Sequence, residues 1–160
     1  MRTAVWGESF DLSRRATGVV TWRGDTPVAS LTFALPEGFI GEQLHVFERF
    51  MRHHWDYGKS KPTWVAYERS STRSYNHAEI QLALVGTLLK LCFEFDVTVA
   101  GFAPSTLKKE LAGHGHASKA QMVAAARERF PDLEVTDDNV ADALAAGLVF
   151  LARAEFVEVT

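Results

Sequence analysis

The chain has a single cysteine, Cys92, so no disulfide can close within it and no zinc site can be built on thiolates. It has no run of about 18 apolar residues long enough to cross a membrane as a helix, and Met1-Arg2-Thr3-Ala4 does not open an apolar leader. These absences lead to the expectation of a cytoplasmic protein with no membrane partner. Positive charge is not in excess either. Lys and Arg number 17 against 20 Asp and Glu, a net charge of −3, which disfavours a protein that coats nucleic acid but leaves room for local basic patches. Internal repeats, low-complexity tracts and linker-like stretches are missing as well. With 160 residues and 47% hydrophobic content, the expectation is one domain over residues 1–160 around one sizeable core.

What is present begins with a hairpin. Trp6-Gly-Glu-Ser-Phe-Asp11 reads as an apolar strand ending in a carboxylate, Leu12 to Arg15 as a tight turn, and Thr17-Gly18-Val19-Val20-Thr-Trp22 as the returning strand. A carboxylate at the end of a central strand is costly unless it is paired or bound to a cation, which makes Asp11 a site candidate. Such a hairpin also serves phosphate binding in other proteins, so the rest of the chain has to decide its use.

Gly24-Asp-Thr-Pro27 is a turn signal, and Val28 to Leu35 alternates as a third strand. Leu44, Phe47, Met51 and Trp55 then recur at helical spacing within Ile40–Trp55. Thr63-Trp-Val-Ala-Tyr-Glu68 is a short apolar strand that places a second acid at a strand end. Arg69 to Asn76 reads as a polar loop, with Asn76 as the cap of a helix running from His77 to about Phe95. Apolar residues cover more than one face of that helix, so it is either fully enclosed or meets a partner chain. Val97–Ala103 reads as a buried strand. Ser105 or Thr106 is expected to cap a short helix over Leu107–Leu111, Gly113–Lys119 to be a flexible segment, Ser118 to start a helix through Phe130, and Asp137 or Asp138 to cap a last helix from Asn139 to about Ala154. Three sequential strands followed by alternating strands and helices imply an α/β sandwich with a mixed sheet.

Asp138 and Asp142 are four residues apart on the last helix and point the same way, and Asn139 neighbours Asp142 at a spacing of three. Acids in a first turn commonly just favour the helix dipole, and for Asp138 that reading stands beside a ligand role. Asp142 lies in an Ala-rich inner face, where a carboxylate near Asp11 and Glu68 suffers like-charge repulsion that a divalent cation relieves. Mg²⁺ takes a few carboxylates with waters and substrate phosphate, and a pair of such ions suits phosphodiester hydrolysis.

These residues match a family pattern. Phe10-Asp11-Leu12-Ser13 with Thr17-Gly18-Val19, then Ala66-Tyr67-Glu68, then Asn139-Val-Ala-Asp-Ala-Leu144 resemble the three acidic segments of RuvC-type Holliday junction resolvases, which belong to the ribonuclease H-like superfamily. Pro104-Ser-Thr-Leu-Lys108 and Gly113 to Val123 resemble the family's basic DNA-contacting segment. The resemblance spans residues 5–150 and is greatest to phage-encoded members. It implies a ribonuclease H-like α/β fold with a mixed five-stranded sheet flanked by helices. It also implies a Mg²⁺-dependent endonuclease, with Mn²⁺ as a substitute, that resolves Holliday junctions and other branched DNA by paired nicks as a homodimer and leaves a 5′-phosphate and a 3′-hydroxyl.

Carried over to this chain, the resemblance makes Asp11, Glu68 and Asp142 metal-binding catalytic acids and brings Lys108 and Lys119 to phosphates. Cellular-type resolvases often have Asp three residues before the last acid, where this chain has Asn139. Either Asn139 ligates through its amide oxygen or Asp138 takes the place. The loop after Glu68 matches poorly, yet Arg69, Arg73 and Tyr75 are suited to phosphate contact and base stacking at a junction core. The alternatives are a ribonuclease H-like RNA-processing nuclease, a nuclease for RNA–DNA hybrids, and a junction-binding protein that does not cut.

Three further features are read as bystanders. Glu8, three residues before Asp11, falls on the opposite face of a regular strand and is expected to face solvent. His114 and His116 lack further ligands for a metal. His53 and His54, near Arg49, Arg52, Lys59 and Lys61, are expected to sit at a solvated helix end.

Overall fold

The computed structural model describes residues 5–57, 61–70 and 75–154, with the backbone alone for 56, 57 and 75–77. Its strands are β1 (Trp6–Asp11), β2 (Ala16–Arg23), β3 (Thr26–Ala34), β4 (Trp64–Glu68) and β5 (Thr98–Phe102). Its helices are α1 (Ile40–Arg52), α2 (Tyr75–Glu94), α3 (Pro104–Ala112), α4 (Lys119–Arg129) and α5 (Asp138–Ala154). The five strands form one mixed sheet in the order β3-β2-β1-β4-β5. The first three are antiparallel neighbours, because tight turns join them. β1, β4 and β5 run parallel, because helices carry the chain across.

Both faces of the sheet are covered. Phe10, Val19, Val65 and Tyr67 pack with Phe47, Met51, Ile80, Leu84 and Leu88 under α1 and α2. On the other face, Val20, Trp22, Trp64 and Ala66 pack with Leu107, Met122, Val140 and Leu144 under α3, α4 and α5. Double coverage explains why β4 reads as a nearly continuous apolar run rather than an alternating one. Trp22 is fully buried, and its indole Nε1 donates to Ser9 Oγ at 2.8 Å, so the ring's one polar atom is satisfied inside the core. Gly147 makes room for that ring, since a Cβ there would collide with it.

Several local expectations change. Asn76 lies inside α2 rather than ahead of it, since the helix starts at Tyr75. β5 is an edge strand, largely half-buried, because among the described residues nothing pairs beyond it. Pro104 begins α3 with Ala103 as its N-cap, and neither Ser105 nor Thr106 caps it; the fixed φ of proline suits a first helical position. Ala117 is buried, and Ser118 and Gln121 form a reciprocal capping box at the start of α4, as expected of Ser118. α1 widens at its end into a single π-type turn over His53–Tyr57.

That turn brings two polar side chains onto β1. Glu8 is buried at 5% exposure, and its carboxylate takes His54 Nε2 at 2.6 Å and Trp55 Nε1 at 2.8 Å. Glu8 does point away from the face of Asp11, but that face is covered by α1 and not by water. His54 is accordingly half-buried and stacked on Phe50.

Candidate active site

β1 and β4 are parallel neighbours, with Phe10 opposite Tyr67, so the next residue of each, Asp11 and Glu68, ends its strand at the same edge of the sheet. The third acid arrives on α5. Gly18, paired with Asp11 across the hairpin, lies against the backbone of Asn139 and Val140. A Cβ at Gly18 would collide with the Asn139 carbonyl, so only glycine lets the start of α5 settle here. Asp137 is the cap of α5: its Oδ1 accepts from Val140 N at 2.9 Å and its Oδ2 from Thr32 Oγ1 at 2.8 Å. Asp138 is therefore released from capping, and its Oδ2 lies 2.8 Å from Lys119 Nζ.

The charges of these acids are felt mutually. Burial holds Asp11 well above the usual carboxylate range, and the charges of Glu68, Asp142 and Asp138 push it further, with Lys119 opposing. Glu68 is raised to about 7, by burial first and then by Asp142, against Lys108 and Lys119. Asp142 is raised to about 6, by burial and then by Asp138, again against the two lysines. Four carboxyl groups from β1, β4 and α5 thus share one partly desolvated neighbourhood, rimmed by a lysine from α3 and one from α4. Asn139 is half-buried with its main chain against β2.

A donor set made only of oxygens and carrying excess negative charge fits a hard divalent cation. Among the described residues no three Asp, Glu, His or Cys side chains close on a single point as they stand. Asp138 is engaged by Lys119, and ionised Asp11, Glu68 and Asp142 repel one another when nothing positive lies between them. Of the expected DNA contacts, Lys119 is exposed at the first position of α4 and Lys108 is half-buried on α3. Arg69 is exposed directly after Glu68, its N–H donating to the Phe102 carbonyl at 2.8 Å. Arg73 lies outside the described residues, as does the side chain of Tyr75.

No family model matches the chain. It is similar in fold to the Thermus thermophilus RuvC structure, with a TM-score of 0.73 at 23% identity over 94% of this chain and 97% of that one. The same protein in complex with a Holliday junction substrate gives 0.72 at 23% over 94% and 96%. The Fowlpox virus resolvase in complex with Holliday junction DNA gives 0.61 at 12% over 92% and 99%. In sequence the chain is 31% identical over 159 residues to the crossover junction endodeoxyribonuclease RuvC of Methylorubrum extorquens, covering 92% of this chain and 74% of that one. It is 32% identical over 152 residues to that of Methylorubrum populi, with the same shares of each chain. With identity at this level over nearly all its length, and the fold to match, the chain belongs to the RuvC family of crossover junction endodeoxyribonucleases.

Proposed function

We propose that the chain resolves four-way DNA junctions by metal-dependent phosphodiester hydrolysis, with Asp11, Glu68 and Asp142 as the acids that hold Mg²⁺ and Asp138 as the fourth, ahead of Asn139. The observation that supports this reading is the convergence of mutually repelling carboxylates, Asp11 buried and the others partly so, from β1, β4 and α5 with both strand-end acids at one sheet edge. A bound divalent cation supplies charge stabilisation on the phosphoryl oxygens and a more acidic water. The protein's part is to fix the acids on rigid strand ends, to keep the site partly dry, and to draw the phosphate in through Lys108 and Lys119. Cleavage of labelled four-way junction, linear duplex, flap and RNA–DNA hybrid with Mg²⁺ tests it: the junction should be cut preferentially. Preferential cutting of the hybrid would move the protein to the ribonuclease reading, and binding without cutting to the non-cleaving one.

Lys119→Ala and Lys108→Ala should each slow junction cleavage by about tenfold and lower the salt slope of binding by about 0.9, the value of one neutralised phosphate. Rates and slopes unchanged in both would return the pair to solvated lysines.

The exposed face of α2 supports a homodimer. Ile80, Leu84, Leu88 and Leu91 are buried under the sheet, whereas Leu82, Leu89 and Phe93 are exposed at 54%, 39% and 88%. With Gly86 between them they fall at successive positions i, i+4, i+7 and i+11, an apolar stripe with a gap for close helix approach. Val85 and Cys92, which helical spacing also groups with Leu82 and Leu89, turn inward, Val85 half-buried against the core and Cys92 buried. α5 packs on the other face of the sheet and does not cover it. A two-fold pairing through this stripe gives two sites in matched orientation for two strands. Leu89→Glu should shift the protein from dimer to monomer at micromolar concentration in sedimentation, with single nicks replacing paired ones. A wild type that sediments as a monomer, free and junction-bound, would remove the paired-nick mechanism.

A further inference from the structure

The turn that follows Asp11 carries two arginines that the acidic site does not use. Ser13, Arg14 and Arg15 line a cleft of about 860 Å³ together with Leu35, Pro36, Glu37, Gly38 and Gln43, between the β1–β2 turn and the connection from β3 to α1. Its other donors are committed: the Ser13 hydroxyl donates to the Ala16 carbonyl, and the Gln43 amide donates to the Pro36 carbonyl at 2.8 Å. The guanidinium groups of Arg14 and Arg15 are exposed and, among the described residues, held by no carboxylate. Each offers five N–H donors in a fork that matches a phosphate. Glu37 is the one acid lining the cleft.

We propose that this cleft binds the sugar-phosphate backbone of the strand being cut, Arg14 and Arg15 gripping phosphates within a few nucleotides of the scissile one. This rests on the nuclease reading above and adds to it a binding site. Arg14 is three residues beyond Asp11, at most about 10 Å along the chain, and a strand advances about 3.4 Å along the duplex axis per nucleotide. A phosphate held at the acids therefore brings its neighbours, up to about three steps away, within reach of this turn. The start of α1 has no side-chain cap, and Glu42 of its first turn sets its carboxylate beside Gly38, so the positive charge of this cleft comes from the two arginines. The next residue after Gly38 is Phe39, whose ring is 76% exposed at the cap position. An exposed aromatic residue next in sequence to the lining residue Gly38 suits a nucleotide strand, base as well as phosphate, better than a free anion.

Binding of a fluorescent four-way junction, measured in chelator across a potassium chloride series, tests it. The double variant Arg14→Ala/Arg15→Ala should bind at least about tenfold more weakly at about 0.1 M salt, with the slope reduced by about 0.9 for each phosphate no longer neutralised. Its melting temperature should stay at the wild-type value, as both side chains are exposed. Glu37→Gln should tighten binding about two- to threefold, an effect that arginines serving only the turn would not give. Phe39→Ala should weaken binding with the slope unchanged. Wild-type affinity and slope in the double variant, beside normal cutting by the wild type, would overturn this inference alone. Inorganic phosphate at about 10 mM that displaces the junction from the wild type would also overturn it, by making the cleft a free-anion site. A wild type that neither binds nor cuts branched DNA would overturn the nuclease reading and this with it.

Discussion

Asp11→Asn is expected to abolish junction cleavage and, in the same molecule, to stabilise the metal-free fold. The amide keeps the shape of the side chain and one oxygen, but not the charge that holds a divalent cation, whose stabilisation of the reacting phosphate is worth several kcal/mol. A rate loss of about a thousandfold or more follows. The gain in stability comes from the same charges. Asp11 is buried and repelled by Glu68, Asp142 and Asp138, so without metal its ionised form opposes folding. The sign with pH is fixed by linkage. Glu68 at about 7 and Asp142 at about 6 lie above their ordinary values, so the folded state holds protons that the unfolded chain has released. Metal-free stability is then full below about pH 4 and is lost as pH rises towards 7. Glu68 alone, at about 7 against 4.5, accounts for a loss on the order of 3 kcal/mol. Removing one carboxylate relieves part of this: in chelator at pH 7 the variant should melt a few degrees above wild type, and Mg²⁺ should raise the wild type more than the variant. Full cutting by Asp11→Asn would take that residue out of the site. Equal melting at pH 7 in chelator would show that its charge does not oppose folding.

Much of this site was legible because its acids interrupt apolar patterns. Asp11 and Glu68 each end a strand whose preceding residues belong inside, and strand ends are where a parallel sheet exposes side chains without giving up its pairing. Asp142 was legible from its Ala-rich surroundings. The N-terminal turn of α5 was less so: Asp137 and Asp138 are equally good caps by residue type, and what decides between them is the Thr32 hydroxyl on β3, a partner 105 residues away in sequence. Glu8 shows the limit of alternation. Period two correctly put it opposite Asp11, but it says only which face a residue takes, and in a sheet covered on both sides neither face is water. The missing signal lay in His53-His54-Trp55, polar and aromatic residues at the inner end of α1, which make sense only if something buried needs donors. Arg14 and Arg15 were visible as turn residues, but the cleft beside them is made by the β3–α1 connection, which local pattern does not place.

The Glu8 contact carries the other large expected effect. Both of its oxygens are used, one by His54 and one by Trp55, within the core under α1 and α2. Glu8→Ala leaves a void and strips two donors of their acceptor, and breaking a buried charged pair from one side costs about 3 to 5 kcal/mol, on the order of 10 °C for a domain of this size. The pH dependence separates this cluster from the active site. His54 is raised above its ordinary value, by the hydrogen bond to Glu8 first and the Glu8 charge as well, with burial opposing. Its contribution is therefore fully present below about pH 6.5 and lost as pH rises through the higher folded value. Glu68 and Asp142 begin to lose theirs at lower pH, and Mg²⁺ should relieve that loss, while the His54 step should be indifferent to metal. His54→Phe keeps the stack on Phe50, whose ring centroid lies 5.6 Å from that of His54 at 10°, and removes the proton. In Mg²⁺, its melting temperature should fall furthest below wild type at pH 6, stay below it by less at pH 9, where neutral His54 still donates to Glu8, and change little between the two. Wild type should melt lower at pH 9 than at pH 6. A His54→Phe profile parallel to that of the wild type would mean that the Glu8–His54 contact does not govern stability in this range.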